Sequence, residues 1–296
     1  MTMKKFIRRS LFYILIFIAF NLVFLITVVS TDWNFRKRIE AITFNNPDFD
    51  LLVLGNSLAM DAIDCSLMSS VGIKSYNLAI AGASVRTNYI QLSEYLQYYS
   101  EKPSCVLLAL GSFGDDFADE VIHPIVEVTM KDHRFRISDL PISKFEWLGV
   151  QFLKKVVSSK HRQARIVNGQ LKFQKVVPDN TEFNELYFDT QLFKSSIWIE
   201  KIAGLCDQNG INLIVIELPG YRHVQNMSEV GPYTISFNNE VLYNLYNFNS
   251  REFCRMFDSG NDWIGNSHLN EYGAIKFTGE LIKIIPSNIC RSVAYK

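Results

Sequence analysis

Residues 11–29 form an apolar run interrupted only by Asn21 and Thr27, behind a tail that carries Lys4, Lys5, Arg8 and Arg9. No other stretch narrows the options of this chain so far. A bilayer holds no water to satisfy backbone N–H and C=O groups, so a single segment crossing it must be helical, and about 20 residues suffice. The run exceeds an ordinary signal-peptide core of about 7–15 residues. It is also apolar on every face, unlike a helix packed on one side of a globular core. Residues 11–30 are therefore expected to be a transmembrane signal anchor, with residues 1–10 a cytoplasmic tail and residues 31–47 a linker. Four basic residues precede the span, against Arg36, Lys37 and Arg38 behind it, and the tail has no acidic residue. That balance puts the N-terminus in the cytoplasm and the remainder outside, on a single-pass protein of the cell membrane. Val28 and Ser30 leave a weak cleavage site as the alternative.

The chain beyond the span is long enough for one large or two small domains. Its charges argue against nucleic acid as a partner: 30 basic and 30 acidic residues cancel, and no basic stripe stands out. Cys65, Cys105, Cys206, Cys254 and Cys290 are scattered, without the close pairing of a zinc site. His123, His133, His161 and His223 likewise lack a spacing that sets two ligands on one face, and each reads as solvated or locally bonded. Residues 79–84 contain a single glycine, too few for a nucleotide phosphate loop. No metal and no cofactor is expected.

Short apolar runs alternate with helical periods. Residues 51–54, 74–78, 105–110 and 212–217 read as buried strands, the last ended by Pro219. Residues 87–99 and 191–209 read as helices, the second stopped by Gly210, and Ala274, Phe277, Leu281 and Ile285 give residues 271–285 a helical period. This alternation predicts an α/β fold with a mainly parallel sheet covered on both faces. Residues 114–190 break the rhythm. They are an insertion into the domain of residues 48–296, serving either as a lid and substrate wall or as a cap packed on the sheet or near the membrane.

Ser57 closes the run LLVLGNS, where a buried parallel strand gives way to a turn. That places it at the carboxyl edge of the sheet, where such folds gather ligands. Downstream stands Ser267-His268-Leu269-Asn270, with Asn270 in N-cap position ahead of Gly273 and the last helix. A serine hydroxyl is a weak nucleophile near neutrality, and an imidazole that titrates there can activate it. Local explanations compete: Gly-Asn-Ser is common turn composition, and a histidine can serve as a cap or a core contact.

Gly55-Asn56-Ser57 at a strand end, Asn77-Leu78-Ala79-Ile80-Ala81-Gly82 after the next strand, and Ser267-His268-Leu269-Asn270 with Gly273 together resemble the SGNH (GDSL-type) hydrolase superfamily. More narrowly, the pattern is similar to its membrane-anchored bacterial members associated with cell-envelope polysaccharide and acyl-group chemistry. The resemblance spans residues 48–285 apart from the insertion. It implies a three-layer αβα sandwich with a mainly parallel sheet of flavodoxin type, Ser57 as nucleophile and His268 as base. It also implies an oxyanion hole from the N–H groups of Ser57 and Gly82, where the missing side chain of glycine permits close approach.

Two positions depart from that pattern. The family's Gly-x-Asn-Asp is replaced by Gly111-Ser112-Phe113-Gly114, so Ser112 substitutes for the asparagine donor or the hole rests on two backbone donors. The family's acid three residues before the histidine is Gly265 here. The candidates in order are Asp262, no acid at all with Asn266 or a bare dyad, and Asp258; an acid would hold the imidazole tautomer. The resemblance implies a membrane-anchored serine esterase or O-acyltransferase acting on acyl groups, acetyl foremost, of a cell-envelope glycan or an acylated small molecule, with a membrane acyl-transfer partner. The alternative is a catalytically degenerate domain that binds glycan or scaffolds an envelope complex.

Overall fold

The computed structural model describes residues 3–31, 33–44, 47–111, 122–123, 125–126, 164–174, 184–186, 196–220, 223–225, 230–237, 241–264 and 268–284. In chain order its strands are β1 (Leu51–Gly55), β2 (Ser75–Asn77), β3 (Cys105–Leu110), β4 (Ala164–Val167), β5 (Gln170–Phe173), β6 (Asn184–Leu186), β7 (Asn212–Glu217), β8 (His223–Gln225), β9 (Tyr233–Phe237), β10 (Val241–Asn247), β11 (Trp263–Ile264) and β12 (His268–Leu269). The helices are α1 (Met3–Thr31), α2 (Trp33–Ile42), α3 (Ser57–Ala62), α4 (Cys65–Ser70), α5 (Val85–Tyr98), α6 (Ile197–Gln208), α7 (Arg251–Cys254) and α8 (Glu271–Ile284).

The fold is mixed α/β around one six-stranded sheet of order β2-β1-β3-β7-β10-β9. Every neighbouring pair is parallel except β10 with β9. β1 and β3 are buried throughout, and β7 from its second residue on. That is why they read as continuous apolar runs rather than alternating ones. Successive residues of a strand point to opposite faces. Leu51, Val53, Leu107 and Ile214 therefore enter one core with Met60 of α3 and Phe277 and Leu281 of α8. Leu52, Leu54, Val106 and Val215 enter another with Leu92 of α5 and Ile202 of α6.

Six helices start on a side chain that accepts from their first free N–H groups: Asn56, Asp64, Ser84, Ser196, Ser250 and Asn270. α6 stops where Gly210 adopts φ +67° and the Ile211 N–H bonds back to Cys206. The strands expected over residues 51–54, 74–78, 105–110 and 212–217 are all present, as are the helices over 87–99 and 271–285, with ends shifted by a few residues. The helix expected from residue 191 begins at Ile197 among the described residues. The short helices α3 and α4 escaped the periodicity, since six-residue helices hold too few turns to show one, and the strands β9 and β10 were not anticipated.

α1 is long and apolar enough to cross a membrane, and its portion Met3–Val23 is only 6% buried. Residues 31–47, expected as a linker, instead contain α2, which docks along the sheet edge. Of the insertion, β4 and β5 form a hairpin turned by Asn168 and Gly169, both at positive φ, as a two-residue loop between paired strands requires. The hairpin packs on the core: the Asn77 N–H donates to Asn168 O, and a Cβ on Gly169 would lie 2.1 Å from Asn77 O. This part of the insertion covers α3 and the edge of the sheet.

Candidate active site

The strand order reverses between β1 and β3, since the strand that follows β1 in the chain, β2, and the strand that follows β3 in this sheet, β7, lie on opposite sides of that pair. Crevices at such reversals, beyond the carboxyl ends of the strands, are where open α/β sheets bind ligands. Ser57 sits there as the first residue of α3, half-buried. Asn56 holds the turn by accepting from the Leu58 N–H at 2.9 Å, and the Gly55 N–H donates to buried Asn88 at 3.1 Å.

α3 brings a second group with it. Asp61 stands four residues after Ser57, a spacing that sets both side chains on one helix face about one turn apart. Its Oδ2 lies 2.7 Å from Nδ1 of His268, on β12, which packs against α3. Burial differs across the pair: the Asp61 side chain is 4% exposed and that of His268 30%. An ionised carboxylate on Nδ1 makes that nitrogen the donor, so Nε2 is the one free to take a proton.

Burial pushes the Asp61 carboxyl above the usual carboxylate range, opposed by the His268 hydrogen bond, by the His268 charge and by Lys37. Its Oδ1 is buried without a hydrogen-bond partner among the described residues. The Asp61 backbone O accepts from Gln170 Nε2 at 3.0 Å, so hairpin residue Gln170 braces the helix behind the acid.

The expected acid, Asp262, is engaged elsewhere. Its Oδ2 accepts from the Asp258 N–H and from Lys276 Nζ, each at 2.6 Å, and its backbone O accepts from the Asn270 N–H. A Cβ on Gly273 would lie 2.4 Å from Asp262 O, so this loop is pressed directly on α8. Asp262 stitches that loop to the last helix, and the carboxylate beside His268 is Asp61. Asp258, fully exposed, is held below the usual carboxylate range by its bonds to Asn261 and Gly260. Asn270 caps α8, as its position suggested, by accepting from Tyr272 and Gly273.

Gly82 lies in the loop after β2 with φ +80°, two residues beyond Ile80, whose N–H donates to Gly55 O. Among the described residues, neither the Ser57 nor the Gly82 N–H is hydrogen-bonded. Ser112 lies outside the described residues, as do Asn266 and Ser267. A further histidine lines this region: a Cβ on Gly82 would lie 3.6 Å from Cδ2 of buried His123. His123 Nδ1 accepts from the Ile125 N–H, which leaves the ring proton on Nε2.

No family model matches the chain, and no curated protein or solved structure does.

The loop carrying Gly82 is held from α2. Asn34 donates to Ala81 O at 3.4 Å and accepts from the Ala81 N–H at 3.1 Å. Lys37, 2% exposed, donates to Ala79 O and, at 3.4 Å, to Asn77 Oδ1. Burial pulls the Lys37 ammonium down to about 7, against the opposing pull of Cys65, Asp61 and Glu40. Since the unfolded lysine titrates near its ordinary 10.5, the unfolded chain holds the extra proton between pH 7 and 10.5. Stability should therefore rise with pH through that window and fall as pH drops towards 7. The expected result is a melting temperature that climbs from pH 7 to pH 9.5 in the wild type and climbs less in Lys37→Met. Equal slopes in calorimetry would refute the assignment.

Proposed function

We propose that this chain is a membrane-anchored serine esterase or O-acyltransferase of SGNH type, acting on acyl groups of a cell-envelope glycan through an acyl-serine. The observation that carries the reading is the Asp61–His268 pair at 2.7 Å, set one helical turn from Ser57 at the carboxyl edge of the sheet. The two helix-lined faces of the sheet agree with the three-layer flavodoxin-type arrangement of that superfamily, and α1, long and apolar enough to span a bilayer, supports a membrane anchor.

In this mechanism Ser57 Oγ attacks the ester carbonyl carbon while His268 Nε2 takes the hydroxyl proton. Asp61 holds the imidazole by Nδ1 and stabilises the imidazolium. The carbonyl oxygen becomes an oxyanion and accepts from the N–H groups of Ser57 and Gly82, each such donor being worth about 3–4 kcal/mol. His268 then returns the proton to the departing alkoxide, leaving the acyl group on Ser57. Water or a sugar hydroxyl next attacks the acyl carbon, gives its proton to His268 and releases the product with Ser57 restored. Esterase and transferase share every step except the identity of this second acceptor.

The competing reading, a degenerate glycan-binding or scaffolding domain, rested on the missing acid and asparagine. Asp61 removes half of that support. A fluorophosphonate probe tests the choice: wild-type protein should label, and Ser57→Ala should not label while melting at an unchanged temperature. A folded wild-type protein that stays unlabelled would establish the degenerate reading instead.

A further inference from the structure

α2 descends the outer edge of the sheet. Its first turn meets Ala81 through Asn34, the next reaches Ala79 through Lys37, and below them Arg38 pairs with Glu94 at 3.4 Å. Ala41 O accepts from Tyr99 OH at 2.9 Å, and Phe44 just beyond the helix meets the Tyr76 ring at 4.7 Å. Tyr99 ends α5, a helix that returns from the carboxyl edge to the start of β3. α2 therefore starts at the carboxyl edge and runs towards the amino edge. Its start is also where the chain arrives from α1.

The end of the apolar run thus lies on the same edge as Ser57 and Gly82. From Val29, its last residue, to Asn34 the chain advances five residues, about 8 Å if helical and at most about 18 Å if extended. Asn34 bonds directly to the residue before Gly82. A flexible tether would let the domain turn in any direction, whereas this docked helix fixes which end faces the bilayer.

We propose that the site opens onto the membrane surface and takes its acyl ester from a molecule carried on a lipid. The inference rests on the acyl-serine reading above and names its substrate class: an amphiphile whose esterified headgroup lies at the interface, delivered by diffusion in the plane of the bilayer. Confinement to that plane raises the effective concentration of such a substrate over that of a soluble ester.

The test uses the full chain in phosphatidylcholine vesicles with two substrates, p-nitrophenyl acetate in solution and an acetylated glycolipid in the bilayer. A second protein carries about 15 Gly and Ser residues inserted between Asp32 and Trp33, a flexible spacer that reaches about 20 Å. The insertion should lower glycolipid deacetylation at least tenfold and leave p-nitrophenyl acetate turnover unchanged. Equal glycolipid rates in the two proteins would overturn the inference. A readout independent of catalysis accompanies it: bimane on Ser57→Cys, in a Cys290→Ser background, should be quenched by headgroup-nitroxide lipids and relieved by the spacer. Absence of quenching without the spacer also overturns the inference. Turnover of neither ester by the wild type overturns the enzyme reading instead, and the quenching then decides the membrane-facing geometry by itself.

Discussion

Asp61→Asn is expected to lower kcat for a soluble ester by about 10³–10⁴-fold without unfolding the protein. The amide is nearly isosteric with the carboxylate, so α3 keeps its packing. Its NH₂ can only donate towards Nδ1, however, which moves the ring proton to Nε2 and removes the base that Ser57 requires. Stability should move the other way. Burial raises the Asp61 carboxyl in the folded protein above its unfolded value, so across the interval between the two the folded form binds more protons. The contribution of Asp61 to stability is then complete at low pH and declines as pH rises through the folded value. Asparagine carries no charge to desolvate and escapes that decline. The variant should therefore melt at or above the wild-type temperature at pH 7 while being almost inert. Activity within tenfold of the wild type would remove Asp61 from the mechanism, and a large drop in melting temperature would make its role structural.

Gly55→Ala should be the most destabilising single-methyl change in the sheet, by about 4 kcal/mol or roughly 10 °C in Tm. A Cβ there would lie 2.3 Å from Ala109 O and 2.5 Å from Ala59 Cβ, and the residue holds φ +152°. One obstacle is backbone of the neighbouring strand and the other belongs to α3, so no flexible side chain can yield. Overpacking and backbone strain each contribute about 1–3 kcal/mol. Gly204→Ala is the matched control, because among the described residues nothing lies within 4 Å of its added Cβ, and it sits inside α6. Alanine there should be neutral or stabilise by up to about 1 kcal/mol. Equal melting temperatures for the two variants would contradict the packing described around β1.

The central strands were legible in the sequence because burial on both faces writes them as uninterrupted apolar runs. Ser57 and His268 were legible as short motifs at strand ends. Asp61 was not evident for a definable reason: the acids near His268 along the chain are Asp262 and Asp258, whereas the partner lies 207 residues away. The four-residue interval from Ser57 to Asp61 was the available signal, and it depends on seeing that α3 starts at the serine. α2 hid itself differently. The residues it turns towards the domain include Asn34, Lys37, Arg38 and Ala41, at helical spacing but mostly polar. Hydrophobic periodicity is blind to a helix that docks through hydrogen bonds and an ion pair.

Ser57 and Asp61 share one six-residue helix, while His268 arrives from β12. During synthesis the serine and its acid therefore emerge together, some 200 residues ahead of the imidazole. Until that strand docks, Asp61 is without its imidazole partner. In the acyl-serine reading the nascent chain is chemically silent beside a membrane full of esters, and it becomes armed in a single long-range closure.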